Sequence, residues 1–323
     1  MILLLFALAF FFGLRIEALS IPPIAGDGKS IQNSIGQVAK DEARRQLIAL
    51  PLLSMIVLPS SAASSASSLS LNPQVSESAL LEPGLLDARV TENVLSPPPY
   101  GMEGPDIFYP SWFSGSWQVK SVTKSVEAPC GIALFGGNAT FQNAQKEVGT
   151  DLRYESRFVK TNNREGTDPV VIADREYNVK SIAKAAIGEQ SIIDIPLASP
   201  NKFTCIMAPK GAPSLLQVDL LTLNRRQETI SQYRFDCSEV VREIVAPLDK
   251  SKTNPNAPPP VLKEIETASI YTYDPSKDEV TCLQRSASFL LPSQQSPVAI
   301  KMWEMSRGRP VDVRYYDVLY TKK

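Results

Sequence analysis

The sequence predicts one all-β domain, an antiparallel sheet of about eight to ten strands closed as a barrel or folded as a sandwich. Apolar and polar residues alternate with a period of two in about ten short segments from residue 116 onward, as in half-buried strands. The clearest is Leu152–Phe158, which reads Leu-Arg-Tyr-Glu-Ser-Arg-Phe. Long stretches with helical periodicity are scarce, which excludes a helix bundle and an α/β fold.

One or two short helices interrupt these strands. The first is Lys180–Glu189, which is alanine-rich, follows Asn178 and ends at Gly188, a pattern typical of a capped helix. The second is predicted near Thr140–Lys146, and Asp249–Pro260 is predicted to be a solvated loop. Apart from the first strand and residues 152–158, the predicted strands are 169–178, 190–197, 202–208, 214–223, 229–237, 265–273, 279–290, 298–305 and 311–320.

Composition excludes several classes of function. The 33 basic and 34 acidic residues give a net charge of −1, so no basic field exists to attract nucleic acid. The chain has no histidine. A Ser-His-Asp or Cys-His catalytic arrangement and a His-ligated metal site are therefore excluded. We predict no enzyme activity, no cofactor and no metal.

The four cysteines leave two interpretations open. No pair has the Cys-x-x-Cys spacing of a zinc ribbon or a thioredoxin-like motif. They are either four reduced thiols in the core, or they form one or two disulfides of unknown pairing in an oxidising compartment. The residues are Cys130, Cys205, Cys237 and Cys282.

Residues 1–66 read as a targeting presequence that is removed or disordered. Met1–Leu14 is apolar and, at about thirteen residues, too short to span a membrane, but it suits a signal peptide. Further along, Arg44 and Arg45 precede the apolar run Leu47–Leu58 and then small residues, the layout of a twin-arginine export signal. The alternative is a membrane-anchoring helix.

The arrangement of signal, transit segment and twin-arginine signal resembles the presequences of thylakoid-lumen proteins in algae with secondary plastids. This resemblance implies a location in the plastid (chloroplast) thylakoid lumen, either soluble or peripheral on the lumenal face. Residues 67–108, with the run Pro97-Pro98-Pro99, are predicted to be a Pro/Ser-rich linker with at most one short helix near Ala79–Val94. The β-domain is predicted to occupy residues 109–323.

The domain opens on an aromatic segment, Tyr109-Pro-Ser-Trp-Phe-Ser-Gly-Ser-Trp117. Gly115-Ser116-Trp117 at the start of the first strand resembles the Gly-x-Trp signature of lipocalin-like (calycin) barrels. The resemblance implies a ligand cavity and an arginine from the last strand that packs across the tryptophan ring as a cation–π contact. Arg314 is placed for that role, with Arg307 or Arg309 as substitutes. We predict that Trp112, Gly115, Trp117 and Arg314 form a structural plug of the barrel.

A longer similarity covers residues 109–320. The aromatic opening, Glu127-Ala-Pro129, Phe135-Gly-Gly137, the segment 173–188 and Ser199-Pro-Asn201 resemble an uncharacterised family of cyanobacterial and plastid proteins, a domain of unknown function. The resemblance implies a β-rich fold and the thylakoid lumen, and it offers no established activity.

The densest polar cluster is Asp174-Arg-Glu-Tyr-Asn178. One interpretation is a polar corner that holds the following helix, with Asp174 paired to Arg175 and with Asn178 as the helix cap. The other is a ligand-binding site at the barrel mouth formed by Asp174, Arg175 and Asn178.

Three functions follow from these observations. The first is a non-catalytic lumenal protein that serves as an auxiliary, assembly or peripheral subunit of a membrane photosynthetic complex, a photosystem or its antenna. The second is a lipocalin-like carrier of a lipophilic ligand: a pigment, a lipid or a quinone. The third is an enzyme that acts on such a ligand through carboxylates alone. The missing histidine and the export signal favour the first.

Overall fold

A computed structural model of the chain describes residues 86–162, 169–208, 215–248, 260–292 and 297–323. The predicted presequence, including Arg44 and Arg45, lies outside these residues. So do residues 67–85 of the predicted linker and nearly all of the predicted loop at 249–260.

Ten antiparallel strands form one curled sheet, which confirms the predicted all-β class and strand number, and the sheet is a half-barrel. The first and last long strands lie side by side in the middle of the sheet, in the order β4-β3-β2-β11-β10-β9-β8-β7-β6-β5. A two-residue strand, β1, pairs in parallel with β7. The strands are β1 Gly101–Met102, β2 Gly115–Glu127, β3 Asp151–Thr161, β4 Val170–Ala173, β5 Ile192–Ala198, β6 Lys202–Met207, β7 Leu216–Ser231, β8 Arg234–Pro247, β9 Val261–Asp274, β10 Glu279–Leu290 and β11 Asp312–Lys322.

Five short helices lie in the described ranges, where the sequence predicts one or two. Two of them, α3 and α4, confirm the predicted helices, and α1 lies inside the segment predicted to hold a third. No helix in the described part of the chain is both long and apolar enough to cross a bilayer. The helices are α1 Asp87–Thr91, α2 Ile132–Phe135, α3 Asn138–Gln145, α4 Arg175–Ile187 and α5 Pro297–Ser306, with a 3₁₀ turn at Ser111–Phe113.

Two strand predictions are wrong for local reasons. Residues 298–305 form α5, because Pro297 opens the segment and Ala, Lys, Met and Glu inside it favour a helix. The segment 169–178 is a strand only as far as Ala173, because the side chain of Asp174 caps α4 and ends the extended backbone.

The hairpin of β7 and β8 is longer than predicted. The polar run Asn224–Gln227 breaks the alternating pattern, so the sequence predicts separate strands at 214–223 and 229–237. The second of these predictions is wrong, because β7 continues through the polar run to Ser231 and the hairpin turn at Gln232 and Tyr233 falls inside the predicted strand. In the structure Arg225 is fully buried and its Nε lies 2.9 Å from Oε1 of Glu239 on the neighbouring strand. Burial of charge through pairing is not visible in a hydrophobic pattern.

The sheet stays open on one side. Within the described ranges, its terminal strands β4 and β5 do not pair with each other. Helix α4 packs against both β3 and β5 and covers this side. Val179, Ile182 and Ala183 of α4 are buried in the main apolar core, so the helix replaces the missing strand pairing with apolar contact.

The core is richest in aromatic rings near the start of β2. Phe113 lies at the centre, with ring centroids 4.5 Å from Phe158, 5.0 Å from Tyr109 and 5.0 Å from Tyr271. Trp117 is fully buried beside it at 6.1 Å. Most of these pairs are edge-to-face or tilted, the arrangement that aromatic quadrupoles favour.

The segment before the aromatic opening packs on the outside of the sheet. Val90 of α1 is buried against Ala268 and Ile270 on β9. Arg89 forms an ion pair with Glu266, a fully buried side chain that Arg285 also contacts at 3.1 Å. Helix α1, which lies within the predicted linker, therefore packs on the sheet.

A substitution at Gly115 tests whether the backbone at the start of β2 requires glycine. Its φ is +116°, a left-handed value that favours glycine, and a Cβ there would lie 3.4 Å from the flexible end of Lys322. We expect Gly115→Ala to lower the free energy of unfolding by about 1–3 kcal/mol through backbone strain. Urea denaturation measures this. Gly104→Ala, at a glycine without a left-handed φ, is the control, and an equal loss in both variants would contradict the strain argument.

Candidate functional site

Asp174 caps helix α4 and is not paired with Arg175, so both details of that prediction are wrong. Its Oδ1 accepts a hydrogen bond from the backbone N–H of Tyr177 at 3.1 Å, and its Oδ2 accepts one from Nε of Arg157 at 2.8 Å. The same side chain therefore caps the helix and ties its first turn to β3.

Arg175 is buried and points to a different partner. Its guanidinium forms a bidentate pair with Asp106, with Nη1 at 2.6 Å from Oδ2. Asp106 is also buried and lies 69 residues earlier in the chain. A planar, two-point pair of this kind is among the stronger polar contacts in proteins. It fastens the start of α4 to the segment that leads into the aromatic opening.

Asn178 is fully buried and does not cap the helix. Its Oδ1 accepts from the backbone N–H of Arg157 at 2.6 Å, and its Nδ2 donates to the backbone oxygen of the same residue at 3.1 Å. One side chain thus satisfies both backbone groups of a residue on β3. These contacts favour the polar-corner interpretation of Asp174, Arg175 and Asn178.

Lys322, and not Arg314, lies over the ring of Trp117. The Nζ atom of Lys322 is 4.2 Å from the ring centroid and donates to the backbone oxygen of Ser114 at 2.5 Å. Burial lowers the pKa of Lys322. Trp117 itself donates from Nε1 to the backbone oxygen of Phe113 at 2.8 Å.

The predicted contact between Arg314 and Trp117 is wrong because of strand register. In the pairing of β11 with β2, Lys322 lies opposite Trp117, whereas Arg314 lies opposite Val126, nine residues further along β2. Arg314 contacts Glu147 at 2.5 Å and Asp312 at 3.4 Å. A cation–π contact does exist at Trp117, but the residue that makes it depends on a register that the sequence pattern does not reveal.

Trp112 closes the same end of the sheet. Its ring stacks on Tyr273 with a centroid distance of 5.1 Å and an angle of 4°, and its Nε1 donates to the backbone oxygen of Gln232 at 3.1 Å. Trp112, Gly115 and Trp117 thus lie at one aromatic end of the sheet, and their role as a structural plug stays a prediction.

All four cysteines are free thiols in this structure. Cys205, Cys237 and Cys282 are buried in the main core, and Cys130 is half-buried near the backbone oxygen of Pro310 at 3.4 Å. Burial raises the pKa of Cys205 to about 12, which keeps it protonated and unreactive. The reduced-thiol interpretation therefore describes this structure.

Away from the aromatic end, the inner face of the sheet carries buried charges in opposite-sign pairs. Glu243 lies 2.9 Å from Lys263, and Glu239 lies 2.9 Å from Arg225. Burial raises the pKa of Asp312 to about 7, although Arg314 and Lys263 oppose this rise. Buried charges that are each paired with an opposite charge are typical of a structural role. No group of three or more metal-binding Cys, Asp or Glu side chains occurs among the described residues.

A cavity of about 480 Å³ lies beside α5, between Trp303, Phe289 and the chain at Tyr100. Helix α5 itself is mostly solvent-exposed: Val298 is 64% exposed, Met305 54% and Trp303 38%. Val298, Met302 and Met305 follow the spacing i, i+4, i+7, so they lie on one side of the helix. We call Val298, Met302, Trp303 and Met305 the α5 surface. This surface carries no signal in the sequence, because the alternation of residues 298–305 predicts a strand.

A second cavity, the lateral cleft, lies on the open side of the sheet and encloses about 780 Å³. One wall comes from β2 and β3, the facing wall from α4, and the remainder from the start of β5. Its lining comprises Gln118, Arg153, Tyr154, Glu155, Tyr177, Lys180, Ser181, Lys184, Ala185, Glu189, Ser191 and Ile192.

Glu155 joins the two walls of the lateral cleft. Its carboxylate accepts hydrogen bonds from Gln118 at 2.9 Å, from the hydroxyl of Tyr177 at 2.5 Å and from Nζ of Lys323 at 2.8 Å. These donors, Lys323 first, lower the pKa of Glu155 to about 2. Tyr177 belongs to the polar cluster that the sequence singles out, but the sequence does not reveal its partner on β3.

A family model described as a domain of unknown function, DUF6816, matches residues 101–323. The chain belongs to this family. The DUF6816 match begins at β1 and includes every strand of the half-barrel, together with both walls of the lateral cleft and the α5 surface. Comparisons with curated proteins and with solved structures gave no match.

Removal of the Asn178 side chain tests how α4 is held. We expect Asn178→Ala to lower the free energy of unfolding by about 1–2 kcal/mol. It leaves the part-buried backbone N–H of Arg157 without its partner, whereas the backbone oxygen of Arg157 still accepts from the N–H of Asp174 at 2.9 Å. Thermal and urea unfolding measure the loss. Asn143→Ala, on the exposed face of α3, should change stability by less than about 0.5 kcal/mol.

The buried carboxyl of Asp312 predicts a pH dependence of stability. Its pKa in the folded protein is about 7, above its ordinary value of 3.8. Between about pH 4 and 7 the folded state therefore holds a proton that the unfolded state lacks, so stability falls as pH rises through this window. The full elevation corresponds to at most about 4 kcal/mol.

We expect Asp312→Asn to remove this slope, so that the variant gains stability relative to the wild type between pH 5 and pH 8. Urea unfolding at both pH values provides the measurement. Asp317→Asn, at an exposed carboxylate on the same strand, should leave the slope as it is. A parallel pH profile for the wild type and Asp312→Asn would contradict the assignment.

Proposed function

We propose that this protein is a non-catalytic accessory protein of a membrane photosynthetic complex. It acts as an assembly factor or peripheral subunit on the lumenal side of the thylakoid, where a photosystem or its antenna is the partner. The observation that carries the proposal is the α5 surface. Val298, Trp303 and Met305 expose apolar area on a helix that packs on the sheet at β10, and exposed apolar clusters of this kind mark interaction sites.

The chemistry of the partner follows from the residues around α5. Trp and Met are enriched in the centres of protein interfaces, because they bury much area and adapt to a partner. Lys301, Arg307 and Arg309 lie close to the apolar side chains along the chain, and Glu304 is the single acid between residues 297 and 309. An apolar centre with a basic rim fits an apolar protein surface with acidic surroundings.

The proposed location rests on the presequence. Arg44 and Arg45 before the apolar run Leu47–Leu58 are typical of a twin-arginine signal, and delivery across the thylakoid membrane would place the domain beside the lumenal faces of the photosystems. A non-catalytic role is supported by the lack of histidine in the sequence and by the cationic partners of Glu239, Glu243 and Asp312 on the inner face.

Polar substitutions on the α5 surface test the proposal. We expect the wild-type protein to co-migrate with a photosystem or antenna complex when thylakoid membranes are solubilised mildly and separated by native electrophoresis. The double variant Val298→Ser/Met305→Ser should reduce the co-migrating fraction about tenfold or more, since each lost apolar side chain weakens burial by about 1–2 kcal/mol.

The double variant Ile193→Ser/Leu283→Ser is the matched control. Ile193 and Leu283 are exposed apolar residues elsewhere on the sheet, 54% and 45% exposed, and their substitution should leave co-migration intact. A wild-type protein that runs only as a free monomer would overturn the proposal. Recovery of the mature protein with an N-terminus before Arg44 would overturn the lumenal location.

A second candidate function is that of a carrier for a lipophilic ligand, a pigment, lipid or quinone. The observation that favours it is the lateral cleft, whose volume of about 780 Å³ lies within the usual range of small-molecule sites, about 300–1,000 Å³.

A further inference from the structure

We infer that the lateral cleft binds an anionic amphiphile, a molecule with one acidic head group and an extended apolar body. The inference rests on the second candidate function and adds the chemical class of the ligand. It is independent of the α5 surface, which lies on another part of the sheet.

The interior of the cleft suits an apolar body. Tyr154 is 4% exposed, and its ring belongs to the main core beneath the aromatic end. Ile192 packs against the same core, and Ala185 of α4 faces the cleft between them without filling it. The small side chain of Ala185 leaves space on the helical wall where a larger residue would close the cleft.

The rim of the cleft is basic. Arg153 lines the β3 wall, and Lys180 and Lys184 line the α4 wall. Of the two acids in the lining, Glu155 already accepts hydrogen bonds from Lys323, Tyr177 and Gln118. Within the lining itself, three cations against two acids leave a net charge of +1.

A ligand can bind the lysines of the α4 wall with little loss of free energy from the ion pairs that they form now. Lys180 pairs with Glu176, and Lys184 pairs with Glu189. All four side chains are between 52% and 75% exposed. Exposed pairs of this type contribute little, about 0–1 kcal/mol, so an acidic head group at the rim can replace the present partners while its apolar body enters toward Tyr154.

The open side of the sheet explains why a site forms here. Strands β3 and β5 are held apart by α4 and do not pair with each other among the described strands. Their separation leaves a passage from solvent to the inward ring of Tyr154, whereas elsewhere in the described sheet neighbouring strands are joined by hydrogen bonds. A ligand in this passage contacts two walls at once.

Binding of cis-parinaric acid and of its methyl ester to the complete mature protein tests the inference. The two probes share one fluorescent polyene chain and differ in the charge of the head group. We expect the acid to bind at least about fivefold more tightly than the ester at low ionic strength, with the preference reduced by salt. Lys180→Gln/Lys184→Gln should remove most of this preference and leave the affinity for the ester unchanged.

A steric variant locates the site. Ala185→Phe should lower the affinity for the acid about tenfold, because the ring occupies the cleft. Ala186→Phe, at the adjacent exposed alanine that lies outside the lining, should not. Circular dichroism and unfolding curves of both variants verify that each is folded.

Three outcomes would overturn the inference. Equal affinities for the acid and the ester would exclude an anionic ligand class but leave a carrier function in place. Undiminished binding in Ala185→Phe would place the ligand elsewhere. No binding of either probe would remove both the inference and the carrier function, with no consequence for docking through α5.

Discussion

The attachment of helix α4 to strand β3 is the interaction on which most of this structure depends. A curled sheet whose terminal strands do not pair with each other must cover its apolar interior on the open side, and α4 provides that cover through Val179, Ile182 and Ala183. Asn178 fixes the position of the helix by satisfying both backbone groups of Arg157, and Asp174 adds the cap. If α4 moved, the core would lose its cover and the lateral cleft would lose one wall.

The two ends of the polar cluster have different mechanical roles. Asp174 and Asn178 attach α4 to the sheet, whereas Arg175 attaches it to Asp106 and so to the chain that enters the aromatic end. The aromatic end is closed in turn by Lys322 over Trp117. The first and last long strands therefore meet at the plug, and their pairing in the middle of the sheet couples the two chain ends of the domain. The α5 surface lies outside this framework, whereas the lateral cleft takes one wall from α4 and so depends on it.

The residues of the predicted site show which structural features a sequence pattern predicts and which it does not. The pattern located the polar cluster at 174–178 and the end of α4 at Gly188, because helix caps are local signals. It misassigned every partner of the cluster, because Asp106 and Arg157 are distant in sequence. The lateral cleft was missed for the same reason: Glu155 and Tyr177 carry no joint signal until β3 and α4 are placed side by side.

The sequence by itself determined the antiparallel β class, most strand positions, the helices α3 and α4 and the aromatic start of the domain, since these depend on side-chain alternation and local caps. Tertiary structure decided whether the barrel closes, since closure requires a pairing of β4 with β5 that no local pattern encodes. It also decided that Lys322 replaces Arg314 at Trp117, because strand register is a relation between distant segments.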